Sequence, residues 1–338
     1  MARTVDWDDD GVITAIDQRA LPAEFRVLRL GTVDALVAAI ADLTIRGAPA
    51  LGASGALGVA LAARAHPGDP DRVRAEAERV AAVRPTAVNL RRGVERALRR
   101  LDDGTDAVVA EARAVLDEDE ATNRRLSRRA ADLLTELCPG RPLRLLTLCN
   151  SGALATVAWG TGLGAVRELA ERGLVDEVLA CETRPLLQGA RLTVWELHEM
   201  GVAHRLCVDS AGASAIARGL VDAVVVGADR VAANGDAANK IGTYALACAA
   251  AQSGVPVVVV APDSTVDHAT ASGADIVIEE RAADEVRTVA GVPTTLPDTP
   301  VYNPAFDVTP ARLLAAVVTE AATFRHGAWT VETPVPVP

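Results

Sequence analysis

From residue 143 onward, short apolar runs alternate with helical stretches, and this alternation constrains the fold more than any other feature of the chain. The runs cover residues 143–149, 176–181, 205–209, 222–227, 256–261 and 275–278. Each is rich in Val, Leu or Ile and is closed by polar residues or Gly. Helical periodicity fills residues 152–172, 188–201, 211–219 and 239–253. Nearly continuous apolar strands separated by helices build a parallel sheet covered on both faces.

The chain before that point reads differently. Residues 12–30 look strand-like. Helical periodicity then runs through 34–43, 49–65, 71–82, 86–100 and 105–137, punctuated by Pro49, His66-Pro67-Gly68 and Arg84-Pro85. The expected class is α/β, in two domains. Residues 1–140 form a small, mostly helical N-terminal domain with short strands. Residues 141–338 form an open, mainly parallel, Rossmann-like sheet domain. The Pro-rich end, Pro334 to Pro338, is expected to fray.

With 338 residues the chain buries about three quarters of its unfolded surface and needs no disulfide or metal staple. The formal charge of −11 argues against a nucleic-acid partner, although a pocket for an anionic small molecule needs only a few local cations. The apolar runs fall short of the roughly 18 residues that span a bilayer, so no membrane partner is expected. The opening Met1-Ala2-Arg3-Thr4-Val5-Asp6 is not a signal peptide, and five cysteines without framework spacing read as thiols in a reducing cytoplasm. Of the 34 basic residues, 33 are Arg and one is Lys240. A lone compact ammonium in an arginine-rich chain marks a place where a guanidinium would not fit, or arises by accident.

Open α/β sheets take ligands at the carboxyl ends of their strands. Cys149 ends the first strand of the second domain, Glu182-Thr183-Arg184 follow the next, and Asp209 follows the third. Gly227-Ala228-Asp229-Arg230 follows the fourth and Ala261-Pro262-Asp263 the fifth. A thiol beside a helix start is open to activation, and Cys149, ahead of Asn150-Ser151-Gly152, fits that description. Its other reading is a small buried hydrophobe, and Cys181 is a rival at the end of another strand. Asp229 after an apolar strand could keep its proton for acid work, or simply pair with Arg230. Asn239-Lys240 is expected to open a helix whose amides, with the ammonium, hold a phosphate. Arg46 could clamp an oxyanion, with Gly47 allowing close backbone approach and Pro49 starting a helix. Gly160-Thr161-Gly162-Leu163-Gly164 falls inside the expected helix and lacks the strand–turn–helix setting of a dinucleotide site. No His, Cys, Asp or Glu cluster has metal-ligand spacing.

Six motifs combine in order. They are Ile45-Arg46-Gly47-Ala48-Pro49-Ala50-Leu51-Gly52; Arg84-Pro85-Thr86-Ala87-Val88-Asn89-Leu90; Cys149-Asn150 with Gly152-Ala153-Leu154-Ala155-Thr156; Glu182-Thr183-Arg184-Pro185 with Gln188-Gly189-Ala190-Arg191-Leu192-Thr193; Gly227-Ala228-Asp229-Arg230 through Asn239-Lys240-Ile241-Gly242-Thr243-Tyr244; and Asn303-Pro304-Ala305-Phe306-Asp307-Val308-Thr309-Pro310. Together they resemble the methylthioribose-1-phosphate isomerase family of methionine salvage, which is related to the regulatory subunits of translation initiation factor 2B. The resemblance spans residues 10–325. It implies conversion of 5-methylthioribose 1-phosphate into 5-methylthioribulose 1-phosphate without cofactor or metal, in a cytoplasmic homodimer. It implies Cys149 and Asp229 as the catalytic pair. Arg46, Gly47, Ala48, Arg84, Asn239 and Lys240 would hold phosphate and sugar hydroxyls, and Gln188 a hydroxyl. Other 1-phosphorylated pentoses, 5-deoxyribose 1-phosphate or ribose 1,5-bisphosphate, stay open as substrates, and Arg91 and Arg92 make the bisphosphate worth testing. A non-catalytic regulatory subunit is the rival class, and the presence of both Cys149 and Asp229 argues against it.

Overall fold

A computed structural model describes residues 2–85 and 87–331. Thr86 of the second motif and the Pro-rich end lie outside the described residues. The chain divides into two compact units, one of Met1–Arg124 with Ser151–Gly160, the other of Arg125–Asn150 with Thr161–Pro338. The division falls inside a long helix rather than at residue 140, and the ten residues after Asn150 belong with the first unit.

In the first unit, β1 (Val5–Trp7), β2 (Ile13–Ile16) and β3 (Val27–Leu30) form an antiparallel sheet in that order. Four helices follow: α1 (Val33–Ala41), α2 (Ala48–Ala65), α3 (Pro70–Ala82) and α4 (Val88–Leu98). Thr32 and Asp69 cap α1 and α3 by accepting the N–H groups of Ala35 and Arg72. By length and composition α2 could cross a membrane, with 18 residues and a mean hydropathy of 1.2. Instead it forms the centre of the core, with every residue from Ala50 to Ala63 buried except Gly52, which is partly covered. Glycines let α4 approach it closely. A Cβ on Gly93 would lie 1.8 Å from the Gly52 carbonyl oxygen, and one on Gly55 would lie 2.3 Å from that of Leu90.

Helix α5 (Thr105–Leu137) carries Asp119 within the first unit. The Asp119 carboxylate accepts the Val157 N–H at 2.8 Å and the Asn123 amide at 2.9 Å. Burial pushes the carboxyl up to about 7, against those two hydrogen bonds and the pull of Arg3, and with Glu120 adding to the rise.

The second unit alternates as the sequence predicts. Its elements are β4 (Leu143–Thr147), α6 (Gly162–Glu171), β5 (Val175–Cys181), α7 (Val194–Glu199), β6 (His204–Cys207), α8 (Asp209–Ala217), β7 (Ala223–Val226), β8 (Arg230–Ala232), β9 (Ala237–Lys240), α9 (Thr243–Ser253), β10 (Val257–Val260), β11 (Val266–Asp267), α10 (Asp284–Arg287), β12 (Thr288–Val289), β13 (Val292–Pro293), β14 (Phe306–Thr309), β15 (Ala316–Val318), β16 (Ala322–Arg325) and β17 (Ala328–Val331). The main sheet has the order β17-β16-β15-β10-β7-β4-β5-β6. The six strands from β15 to β6 are parallel, and β16 and β17 add an antiparallel edge. Counted along the chain, the parallel strands run 3-2-1-4-5-6, a doubly wound order whose direction of travel reverses between β4 and β7. All four residues of β7 and of β10 are buried, as a sheet covered on both faces requires. A smaller sheet, β11-β8-β9-β14, follows from the turn after β7.

Three local expectations are corrected. Residues 275–278 form no strand; a short 3-10 turn, Gly273–Asp275, ends there. The helix expected over 152–172 begins only at Gly162, after a 3-10 turn at Ala153–Ala155 and an extended stretch closed by Gly160 at φ +93°. Thr4 holds that stretch open, its N–H on the Val157 oxygen and its hydroxyl on the Ala153 oxygen. Asn239 and Lys240 close strand β9 rather than open a helix, because β8 and β14 pair with that segment on either side.

Candidate active site

Cys149 and Asp229 follow the adjacent strands β4 and β7, one on each side of the point where the strand order reverses. In this architecture the carboxyl ends of the strands leave a crevice there. Cys149 takes a left-handed backbone, φ +66°, which few residues other than Gly adopt. Its N–H donates to the Thr183 hydroxyl at 2.8 Å, and its carbonyl accepts the Thr193 hydroxyl at 2.5 Å. The long helix expected beside it from the sequence does not form there; only the turn at Ala153–Ala155 follows.

The ends of β5 and β6 support that residue. Thr183 is itself left-handed at φ +65°, and the Asp209 carboxylate accepts both its N–H and that of Arg184, each at 2.7 Å. Gly189 must be a glycine here, because a Cβ would lie 1.7 Å from the Cys181 carbonyl oxygen. Gln188 precedes it, 7% exposed, and its Oε1 has no hydrogen-bond partner among the described residues. Below, Asn150 donates its amide to Glu196 at 2.7 Å and to Thr193 at 3.3 Å, with all three side chains buried.

Cys181, the rival thiol, is 1% exposed, with its Sγ 4.0 Å from that of Cys207. The contact with Cys207 and burial push its thiol up, which removes it as a thiolate at neutral pH.

On the other side of the crevice, the Asp229 N–H donates to the Ala238 oxygen at 2.9 Å. Continuing the β8–β9 register by one step sets Asp229 opposite Asn239, which pairs in turn with Asp307 of β14. Arg230 approaches Asp267, at 3.7 Å. Asn239 is buried and donates to the Thr243 hydroxyl at 2.9 Å. Lys240 is 9% exposed; its Nζ donates to the Ala305 oxygen at 2.8 Å and lies 4.5 Å from the centre of the Phe306 ring. The start of α9 is already capped: the Asp307 carboxylate accepts the N–H groups of Gly242 at 2.7 Å and Tyr244 at 3.1 Å. That corrects the expected use of this helix start as a phosphate cradle. Burial pushes the Asp307 carboxyl up, against those two donors and the nearby Lys240. Leu148 lies close by, since a Cβ on Gly242 would lie 3.4 Å from one of its methyl groups.

The remaining expected residues belong to the first unit. Gly47 has φ +95°, and a Cβ there would lie 2.2 Å from the Ala155 oxygen, so only glycine allows this approach. Ala48 and Pro49 begin α2. Arg46 points its guanidinium at the Gln18 side chain, 3.4 Å away, and Gln18 donates to the Leu154 oxygen at 2.7 Å. Arg84 is half-buried before α4. Arg91 is exposed and paired with Glu78 at 2.8 Å, which weakens the case for a second phosphate.

Sequence reasoning missed Thr193, Glu196 and Asp209 as supports of the cysteine turn. Thr193 and Thr183 stood inside quoted motifs, but a left-handed backbone at Cys149 leaves no mark in residue types. Among the described residues, no group of three or more His, Cys, Asp or Glu side chains is arranged to hold a metal ion.

The model of the initiation factor 2 subunit family matches residues 44–325. A methylthioribose-1-phosphate isomerase from Anaeromyxobacter sp. (strain K) is 53% identical over 324 residues, covering 96% of this chain and 94% of that protein. A probable bifunctional methylthioribose-1-phosphate isomerase/methylthioribulose-1-phosphate dehydratase from Nocardia farcinica is 60% identical over 93% of the chain, which spans only 57% of that longer protein. The crystal structure of 5-methylthioribose 1-phosphate isomerase from Pyrococcus horikoshii OT3 superposes with a TM-score of 0.90 at 40% identity, covering 97% of this chain and 93% of that one.

Proposed function

The chain belongs to the initiation factor 2 subunit family and, within it, to the methylthioribose-1-phosphate isomerases, and from that premise we infer that it converts 5-methylthioribose 1-phosphate into 5-methylthioribulose 1-phosphate. The observation that carries the reading to particular residues is the placing of Cys149 and Asp229 on adjacent strands across the reversal of strand order.

The chemistry explains why a thiol and a carboxyl are useful there. A phosphate ester on the anomeric carbon blocks the free aldehyde through which ordinary aldose–ketose isomerases work. The ring must open with the phosphate in place, and one hydrogen must pass from C2 to C1. Asp229 gives its proton to the ring oxygen as the C1–O bond breaks, where it stays as the C4 hydroxyl, and recovers one from the C2 hydroxyl as C2 becomes the ketone; Cys149 acts at C1 and C2 as base or as a stabiliser of the developing charge. Substrate and product are isomers, so the reaction needs no external oxidant or reductant. We assign Gln188, with its free buried oxygen, to a sugar hydroxyl, and Asn239 and Lys240 to hydroxyl or phosphate beside Asp229. Arg46, Gly47, Ala48 and Arg84 are proposed to contact the phosphate. A homodimer in the cytoplasm is the proposed working form, to be checked by sedimentation and cell fractionation.

Asp229→Asn and Cys149→Ser each lower kcat by about 10²–10⁴-fold while leaving the circular dichroism spectrum unchanged. Near-normal turnover in either variant would remove that residue from the mechanism. Running the reaction in heavy water tests the path of the hydrogen: deuterium at C1 of the product supports proton transfer.

A further inference from the structure

The Cys149 backbone is held from both sides by the hydroxyl groups of two buried threonines. We propose that Thr183 and Thr193 are positioning residues that lock Cys149 in its left-handed turn and so aim the thiol, with Asp209 as the anchor of the lock. The proposal rests on the assignment of Cys149 to the chemistry.

The argument begins with what the backbone requires. A non-glycine residue at φ +66° stays there only when its surroundings over-determine it. Two bonds do so here. The Thr183 hydroxyl accepts the Cys149 N–H at 2.8 Å and donates its own proton to the Cys181 oxygen at 3.1 Å. The Thr193 hydroxyl donates to the Cys149 oxygen at 2.5 Å and accepts the Asn150 amide at 3.3 Å. Both threonines are fully buried, so water offers no substitute.

Each hydroxyl is fixed by a second element. Thr183 is a β-branched residue at φ +65°, an unfavourable conformation, and Asp209, which opens α8 just past β6, holds it by accepting the N–H groups of Thr183 and Arg184. Thr193 closes a π-helical turn, Gly189–Thr193, a geometry that recurs at functional sites. Gly189 presses against the same Thr183 hydroxyl, since a Cβ there would lie 2.9 Å from its oxygen. Three neighbouring strand ends, those of β4, β5 and β6, are thereby joined through side chains onto one backbone unit.

The test uses Thr183→Val, which keeps the shape and removes the hydroxyl, and Thr183→Ser, which keeps the hydroxyl. Thr193→Val removes the other bond and stands in for Thr183→Val if that variant does not fold. Two readouts are taken on the full chain. In steady-state assays with the sugar phosphate, Thr183→Val loses about 10-fold or more in kcat with KM changed by less than about 3-fold, and Thr183→Ser recovers most of the loss. In the second, the rate of Cys149 alkylation by iodoacetamide is followed by mass spectrometry across pH, and it changes in Thr183→Val and Thr193→Val but not in Thr183→Ser. The alkylation readout does not depend on turnover. If Cys149→Ser stays active while the alkylation rates shift as described, the catalytic assignment fails and the lock stands. Valine variants that match the parent in both readouts, or a serine variant as impaired as the valine, would overturn the lock.

Discussion

Asp119 allows a prediction whose size follows from its surroundings. Its carboxyl titrates near 7 in the folded chain, against about 3.9 in an unfolded one. Between those values the folded state holds a proton that the unfolded state has released. Stability is therefore fully present below about pH 4 and falls as pH rises towards 7. A gap of about 3 pKa units corresponds to about 4 kcal/mol at most. Asp119 keeps partial exposure as a residue, so solvent screening leaves about 2 kcal/mol as the working figure. Asp119→Asn stays neutral at every pH, and its oxygen still accepts from Val157 and Asn123. The variant should match the parent near pH 3.5 and exceed it by about 2 kcal/mol near pH 8. Urea unfolding at the two pH values, followed by circular dichroism and by tryptophan fluorescence, measures the difference; Trp7 and Trp159 both lie in this unit. An asparagine variant that is no more stable than the parent at the higher pH, or that differs equally at both, would refute the argument.

Two further outcomes rest on the fold. Gly93→Ala forces a methyl group against the Gly52 carbonyl and should cost the first unit about 3 kcal/mol, whereas Gly31→Ala, whose nearest new neighbour is a valine methyl at 3.4 Å, should stay within about 0.5 kcal/mol in thermal melts. Asp222 behaves oppositely to Asp119: burial raises its carboxyl, but Arg144 and Arg141 outweigh it and hold the group below the ordinary range. Its contribution is present above about pH 4 and disappears as pH falls through the folded value, so Asp222→Asn should flatten the acid limb of the stability curve.

Five of the six parallel strands were legible, β4, β7 and β10 most clearly, because each is a largely aliphatic run that a two-sided sheet buries. The strands that were missed lacked that signal. Ala237-Ala238-Asn239-Lys240 contains no β-branched residue and becomes a strand because β8 and β14 flank it. The closing strands β15 to β17 were also missed: β15 pairs with the distant β10, and β16 and β17 then fold back on it as hairpins. At the candidate site, strand-end placement set Cys149 and Asp229 among several candidates, and the family resemblance singled out that pair. The helix expected after Cys149 failed because Thr4, far away in sequence, captures residues 153 and 157 in an extended path. The support of Cys149 by Thr183 and Thr193 depends on backbone torsions, which residue identity does not encode.

The burial of Lys240 has a practical consequence for handling the protein. Because no other lysine occurs in the chain, the outer face carries its positive charge wholly as guanidinium. Reagents selective for primary amines, such as succinimidyl esters, meet only the buried Lys240 among the side chains, and the α-amino group. Mild labelling should thus yield a singly tagged product, and the appearance of a second tag would report that the strand carrying Lys240 has come loose.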